Sequence, residues 1–404
     1  MDVDTFMVLR TPAGAAVLAD ATELGTVDPL AAASRLRAAG HDPTLAAAAL
    51  TQVRLRERAV AKFGSAAGSM FFTPDGLEQA TRAAVAERRA ARFAGAGRVV
   101  DLCCGIGADL VALARAGLDV TGVDADPLTA AVAAANVDAL GLGDRARVVC
   151  AEATAVALDG FDAAFCDPAR RAAGRRVFDP SAYSPPWSFL LELAARIPRT
   201  GLKVAPGIDH ALVPAGAEAE WVSVGGDVVE AALWFGDLAT AARRATLLGS
   251  GPPTTLPGGG LPATLTGSGE RTAPVGPVGA WLYEPDGAVI RSHLIAELAD
   301  QLDGRLVDPR IAYLTADELV ATPFARAYAV TDVLPFSVKR LRALLREREI
   351  GRLTVKKRGS AVTPEELRRQ LKLSGDQEAT VILTRVAGAP TMLLAQPAAQ
   401  WSGH

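Results

Sequence analysis

Arg98-Val-Val-Asp-Leu-Cys-Cys-Gly-Ile-Gly-Ala-Asp109 decides how the rest of the chain is read. A short apolar run ends in Asp101, and Gly105 and Gly107 then open an alanine-rich stretch. That order predicts a strand, a tight glycine loop and a helix N-terminus, a combination in which a ligand can approach bare backbone amides. Asp119-Val-Thr-Gly-Val123 predicts a second strand and ends in Asp124. An acidic residue about 20 positions after such a loop suits a carboxylate that accepts ribose hydroxyls. Residues 127–140 read as the next helix. Arg147-Val-Val-Cys150 is a third strand, followed by Glu152 and Ala153, and Phe161-Asp-Ala-Ala-Phe-Cys166 is a fourth, followed by Asp167-Pro168-Ala169-Arg170. Strands alternate with helices, as in a doubly wound parallel α/β sheet, and each polar candidate falls at the carboxyl end of a strand, where such sheets bind ligands.

Dinucleotide enzymes carry a third glycine, three residues after the second, for close helix packing; here that position is Leu110. With Asp101 ahead of the loop and Asp124 behind it, the pattern resembles class I methyltransferases that use S-adenosylmethionine. The resemblance implies a Rossmann-like sheet and the following cofactor contacts. Asp101, Cys103, Gly105 and Gly107 flank the methionine end, Asp124 with Ala125 takes the ribose, and Glu152 with Ala153 meets the adenine. In many nucleic-acid methyltransferases the segment before the first strand folds over the cofactor, which makes Phe72 and Thr73 candidates; Thr73 or Asp75 also suits a helix cap.

Composition sets wider bounds. A chain of 404 residues suggests two or three domains, and half of the residues are hydrophobic. No apolar run approaches the roughly 18 residues of a membrane span, so no membrane partner is expected. The first residues, Met-Asp-Val-Asp-Thr-Phe-Met, lack a basic region followed by an apolar core, which points to the cytoplasm. The net charge is −3 and the pI about 5.9, so a nucleic-acid partner would have to meet local basic patches. Four cysteines, Cys103, Cys104, Cys150 and Cys166, form no Cys-x-x-Cys pair, and with four histidines no metal pattern emerges. They read as buried small apolar side chains in a reducing compartment.

Residues 1–95 are helical in pattern, with apolar spacing over 30–39, 43–63 and 75–93. The methyltransferase-like region spans 96–248 and closes with a helix over 187–197, a fifth strand over 201–205 and a hairpin built on Glu220-Trp-Val-Ser-Val224 and residues 228–235. Residues 249–277, rich in Gly, Pro, Thr and Ser, read as a linker. Beyond it, 281–283 and 288–290 are strand-like and 292–302 helical. Strands follow over 328–334, 351–357, 379–386 and 390–394, with helices over 338–349 and 364–373. This C-terminal part is dense in Lys and Arg, most of all at Lys356-Lys-Arg-Gly-Ser360, and a local positive face suits phosphate contacts.

Gly351-Arg-Leu-Thr-Val-Lys-Lys-Arg-Gly359 and Thr363-Pro-Glu-Glu-Leu367 resemble the THUMP-like domain of bacterial methyltransferases. That resemblance implies a THUMP-like domain over 326–400, a small ferredoxin-like piece over 278–325 and an RNA substrate, with Lys356, Lys357 and Arg358 on its phosphates. Asp167-Pro168-Ala169-Arg170 carries the chemistry. Amino-methylating enzymes place an acidic or amide residue here, then two prolines and an aromatic, to accept hydrogen bonds from the target amine. Ala169 and Arg170 depart from that pattern, which counts against stacking on an exocyclic adenine amine. The same tetrapeptide occurs in uracil-C5 methyltransferases, which need a cysteine after the fifth strand. This chain has Val204-Ala-Pro-Gly-Ile208 there. The expectation is nitrogen methylation of an RNA base, with Asp167 and Pro168 at the reacting atom and Ala169, Arg170 and Arg171 on the substrate. Two alternatives stay open: a small-molecule or protein methyltransferase, and a non-catalytic RNA-binding adaptor.

Overall fold

The computed structural model describes the chain except for residues 26–27, 170, 173–174, 177–182, 250–261 and 399–404. It divides into two units, one of residues 1–217 with 232–240 and the other of 218–231 with 241–404.

The first unit begins with α1 (Val3–Leu9), α2 (Pro12–Leu24), α3 (Pro29–Ala38) and α4 (Pro43–Phe63). Asp2, Thr11, Asp28 and Asp42 cap them, and the last three caps are each followed by proline, whose missing N–H costs nothing at that position. The periodicity over 75–93 predicts one helix, but there are two, α5 (Pro74–Gln79) and α6 (Ala83–Arg92). Two polar contacts account for the break. Lys62 Nζ donates to the carbonyls of Leu77, Glu78 and Ala80 at 2.8, 2.7 and 2.8 Å, taking acceptors a continuing helix would use. The Thr81 hydroxyl is drawn to Asp109.

The central strands are β1 (Arg98–Leu102), β2 (Asp119–Asp124), β3 (Ala146–Cys150) and β4 (Ala163–Cys166). After a two-stranded ribbon of β5 (Arg171–Ala172) and β6 (Arg175–Arg176) comes β7 (Thr200–Val204). The order β7-β4-β1-β2-β3 is parallel throughout. The helices α7 (Ala108–Arg115), α8 (Pro127–Ala139) and α9 (Trp187–Arg196) follow β1, β2 and β4, as the α/β alternation requires. Leu110 stands where dinucleotide enzymes keep glycine because the close approach has moved to the strand: a Cβ on Gly122 of β2 would lie 2.9 Å from Leu110 Cδ2 and 3.1 Å from Cys104 Sγ.

In the second unit, β8 (Glu218–Val224) pairs in parallel with β10 (Arg243–Leu248); β9 (Asp227–Trp234), which neighbours β8, has its residues 232–234 in the first unit. The stretch 249–277, read as a linker, contains β11 (Ala263–Gly267), which pairs antiparallel with β10. Its Ala-Thr-Leu-Thr-Gly buries Leu265 alone, too little alternation to announce a strand.

A second sheet has the order β13-β14-β12-β15-β18-β17-β16. Its strands are β12 (Trp281–Pro285), β13 (Arg305–Asp308), β14 (Ile311–Ala316), β15 (Ala325–Pro335), β16 (Ile350–Lys357), β17 (Gln377–Val386) and β18 (Ala389–Pro397). Because β12 pairs with both β14 and β15, the strands of residues 278–325 and 326–400 share one sheet. Residues 288–290, expected as strand, belong to the short helix α10 (Gly287–Arg291), started by the Asp286 side chain accepting from the Ala288 amide. It is followed by α11 (Ile295–Leu302). The helices α12 (Val338–Glu347) and α13 (Pro364–Leu371) bury Leu341, Leu345, Leu367 and Leu371 against Leu353, Val355, Leu383 and Leu394 of the sheet. Each such leucine contributes about 1.5–3 kcal/mol.

Candidate active site

The parallel register sets the site. Asp101 pairs across the sheet with Gly122 and Phe165, so β1, β2 and β4 end level with one another. Gly105 and Gly107 lie in the left-handed region, at φ 56° and 87°, and a Cβ on Gly105 would meet nothing within 4 Å. Gly107 begins α7 without a side-chain cap, which leaves the first amides of the helix to a ligand. Cys103 also has a positive φ of 60°, a conformation most side chains avoid, and it turns the chain out of β1.

The loop is pinned from three sides. The Cys104 amide donates to the Val123 carbonyl at 2.9 Å. Asn136 Nδ2 donates to the carbonyls of Ile106 and Phe71, and its Oδ1 accepts from the Phe71 amide. Gly76 of α5 packs on Ile106, where a Cβ would sit 2.4 Å from Cγ2. The segment before β1 therefore does reach the glycine loop. Phe72 and Thr73 both have partners within this segment, Thr73 in the capping role its sequence suits. The Phe72 ring is fully buried beside Phe63 and Ile106, and its N–H and C=O are both taken by the Gln52 side chain. The Thr73 hydroxyl caps α5 by accepting from the Gly76 amide.

Asp124 is half-buried. Its Oδ2 accepts from the Gly105 amide and its Oδ1 from the Asp126 amide, both at 3.0 Å. Burial pushes its pKa up and the two amides pull it back. Each oxygen keeps lone pairs for a hydroxyl. Ala125 and Glu152 are exposed and Ala153 is buried, and the Ala151 amide donates to the Asp124 carbonyl, which sets these residues beside the end of β2.

Asp101 is fully buried, and neither of its carboxylate oxygens has a hydrogen-bond partner among the described residues. Burial pushes its pKa well above the usual carboxylate range, and the carboxylates of Asp109 and Asp167 push it further against the opposing Arg89. Asp167, just past β4, is held by Lys203 of β7, whose Nζ lies 2.6 Å from Oδ2 and 3.2 Å from the Thr81 hydroxyl. That hydroxyl donates to Asp109 Oδ2 at 2.8 Å, and Arg89 pairs with Asp109 Oδ1. Sequence reasoning missed Lys203, Thr81, Asp109 and Arg89. The one available signal was a lysine inside the apolar strand Thr-Gly-Leu-Lys-Val, whose five residues are all buried.

Pro168 is buried, and Ala169 exchanges two backbone hydrogen bonds with Ser184 at 2.8 and 3.0 Å, which fixes the turn after Asp167. Arg170 and the Arg171 side chain lie outside the described residues. Cys104 and Cys166 are buried with thiol pKa values pushed up by burial, so neither is a ready nucleophile. Cys150 is exposed and Cys103 half-buried, contrary to the expectation that all four would be interior.

The basic run of the C-terminal module is also divided. Alternation along β16 separates Lys357, which is exposed, from Lys356, which pairs with Glu284 at 2.5 Å and lies over the Tyr328 ring. Arg358 donates to the Ala312 carbonyl and stacks on Tyr313. Further exposed cations lie on and beside the helices, among them Lys339, Arg340 and Arg346 of α12, Arg369 of α13, and Lys372. Among the described residues no helix is long and apolar enough to cross a membrane.

Comparison with known proteins fits this geometry. A methyltransferase-domain family matches residues 99–174, a THUMP domain-like family 325–397, and a domain family of unknown function 2–59. An uncharacterized S-adenosylmethionine-dependent methyltransferase of Mycobacterium tuberculosis, found in two strains, is 36% identical over 349 residues, covering 82% of this chain and 90% of its own. The chain belongs to the S-adenosylmethionine-dependent methyltransferases. A solved candidate methyltransferase of Porphyromonas gingivalis W83 shares the fold, with a TM-score of 0.73 at 22% identity over 89% of this chain and 92% of that one. The residues of this methyltransferase suit its cofactor. The glycine cradle is open at Gly105 and Asp124 can take hydroxyls. The ammonium of the cofactor's amino-acid end can bond to the buried Asp101 carboxylate, whose oxygens are unpaired among the described residues.

Proposed function

We propose that this methyltransferase acts on a nitrogen of an RNA base. The observation that carries the RNA reading is the THUMP-like module, with its exposed cations, in the same chain as the catalytic domain. Phosphate contacts of this kind position a nucleic acid without reading its sequence. Lys339, Arg340, Arg346, Lys357, Arg369 and Lys372 make those contacts in this reading. Lys356 and Arg358 leave the set because their charges are engaged within the module.

The preference for nitrogen rests on two features. Val204 to Ile208 offers no thiol after β7, and the buried Cys104 and Cys166 thiols are not activated. Asp167, by contrast, has one oxygen fixed by Lys203 and a side chain still partly open to solvent, so its other oxygen can accept an N–H from the target. The bound cofactor supplies an electrophilic methyl group. Asp101, Cys103, Gly105 and Gly107 would hold its amino-acid end, Asp124 and Ala125 its ribose, and Glu152 and Ala153 its adenine. Phe72 and Thr73 would support the loop from behind. Asp167 orients the nitrogen lone pair, Pro168 and Ala169 hold the turn, and Arg170 and Arg171 contact substrate phosphate. The target base leaves its stack to reach this point.

The test is transfer of tritiated methyl from S-adenosylmethionine to RNA prepared from cells lacking the gene. The purified protein should label that RNA. Asp167→Ala should not, while its S-adenosylhomocysteine affinity stays within a few-fold. Label entering protein or small molecules instead would replace the RNA reading.

A further inference from the structure

We infer that Lys203 is a positioning residue for methyl transfer, holding Asp167 as an anionic acceptor aimed at a donor N–H of the target; the inference rests on the reading of Asp167 above. The geometry is specific. Lys203 sits on the strand next to β4, is 5% exposed, and directs its ammonium at Asp167 Oδ2 from inside the protein at 2.6 Å. The Asp167 side chain is about a quarter exposed, so the pair has a buried cationic end and an open carboxylate end. Two parts of one carboxylate are thereby divided between protein and substrate.

A buried lysine is costly to desolvate unless its donors are used. Here two of them are, on Asp167 and on Thr81. Thr81 in turn binds Asp109, which Arg89 pairs from α6. The chain of contacts runs from the α5–α6 break, through β7, to the turn after β4, so the broken helix has a purpose at the reacting end of the site. Among the described residues, Lys203 is the side chain that pairs with the Asp167 carboxylate. Its ammonium fixes one carboxylate oxygen and leaves the other as an acceptor on the open side.

A chemical preference follows. An anionic acceptor in a partly buried site favours a target edge that presents an N–H and disfavours one that presents only a carbonyl or an unprotonated ring nitrogen. The substrate class is therefore a base whose methylated nitrogen carries hydrogen, an amino group or a ring N–H. As the nitrogen–methyl bond forms, the methyl–sulfur bond of S-adenosylmethionine would break and S-adenosylhomocysteine would leave, while the proton lost from the nitrogen passes to Asp167 and on to solvent.

The experiment uses the full chain, tritiated S-adenosylmethionine and an extract of cells lacking the gene, divided into untreated, ribonuclease-treated and protease-treated portions. Lys203→Met should lower kcat roughly 100-fold, the order of loss expected when a reacting group is misplaced by about an ångström. KM and the calorimetric affinity for S-adenosylhomocysteine should stay within a few-fold. Lys203→Arg, which keeps the charge, should recover a substantial part of kcat. A kcat near wild type in Lys203→Met would overturn the inference, as would a loss of cofactor affinity in step with kcat that Lys203→Arg does not repair. A second measurement needs no substrate: the nitrogen-15 signal of a buried, slowly exchanging lysine ammonium should be present in the wild type and disappear in Asp167→Asn. Absence of that signal in the wild type, or its survival in Asp167→Asn, also overturns it. Label that survives ribonuclease removes the RNA reading and leaves Lys203 standing; no label in any portion removes the reaction Lys203 is inferred to serve.

Discussion

At the scale of single residues the site is a set of carboxylates with different partners. Among the described residues, Asp124 has two backbone amides, Asp167 has Lys203, and the Asp101 oxygens have no hydrogen bond. If Asp124 takes the ribose, Asp124→Ala should lose most of the rise in Tm that S-adenosylmethionine produces by mass action. A hydrogen bond to a charged group is worth about 1.5–3 kcal/mol, so a variant with the full shift would release Asp124 from the role. Asp101 allows a pH test. Its native pKa lies well above that of an unfolded aspartate, about 3.9. In the interval between the two values the native state holds a proton the unfolded state has lost, so stability falls as pH rises through that interval. Asparagine does not titrate. Relative to wild type, ligand-free Asp101→Asn should therefore gain stability as pH rises above the unfolded value of about 3.9, measured by urea unfolding. A difference that does not change with pH would contradict the assignment. Asp101, Asp124 and Asp167 stood out as candidates in the sequence because each comes at the end of an apolar run. Lys203 was not, because its partners come from positions 81 and 167, and only folding brings them together.

At the scale of elements, the contact between α5 and the glycine loop is a tight one the sequence did not announce. A Cβ on Gly76 would meet Ile106 Cγ2 at 2.4 Å and Thr73 Oγ1 at 2.6 Å, whereas one on Gly68 would meet nothing within 4 Å. Gly76→Ala should cost about 1–3 kcal/mol and weaken cofactor binding as Ile106 shifts, while Gly68→Ala should stay within about 0.5 kcal/mol of wild type. Equal behaviour of the two variants in thermal unfolding and cofactor titration would separate α5 from the loop. The strand and helix alternation between residues 98 and 204 was readable because buried parallel strands form apolar runs between helices. The break at Thr81 was not, since apolar spacing continues across it and the polar contacts that cause it come from Lys62 and Asp109. Residues 278–325 were read apart from 326–400 because pairing of β12 with β15 leaves no mark on either segment alone.

At the scale of the whole molecule, a chain of net charge −3 carries a dense group of exposed cations on its C-terminal module. Replacing Lys339, Arg340 and Arg346 by Ala should weaken RNA binding and lower the log-log salt slope by roughly 0.7–0.9 for each phosphate no longer neutralised. Lys356→Ala should lower Tm, by leaving Glu284 with the Tyr328 hydroxyl but no cation, and leave that slope unchanged. Coinciding slopes for the triple variant and wild type, in filter-binding titrations, would make the α12 cations a solvated face. The central claim, a methyltransferase that marks an RNA base at nitrogen through Asp167, has a direct test in cells. Nucleosides from total RNA are compared by mass spectrometry in cells with the gene, without it, and with the gene restored as wild type or Asp167→Ala. The account predicts one N-methylated nucleoside that disappears with the gene, returns with wild type and stays absent with Asp167→Ala; identical nucleoside profiles in all four would contradict it.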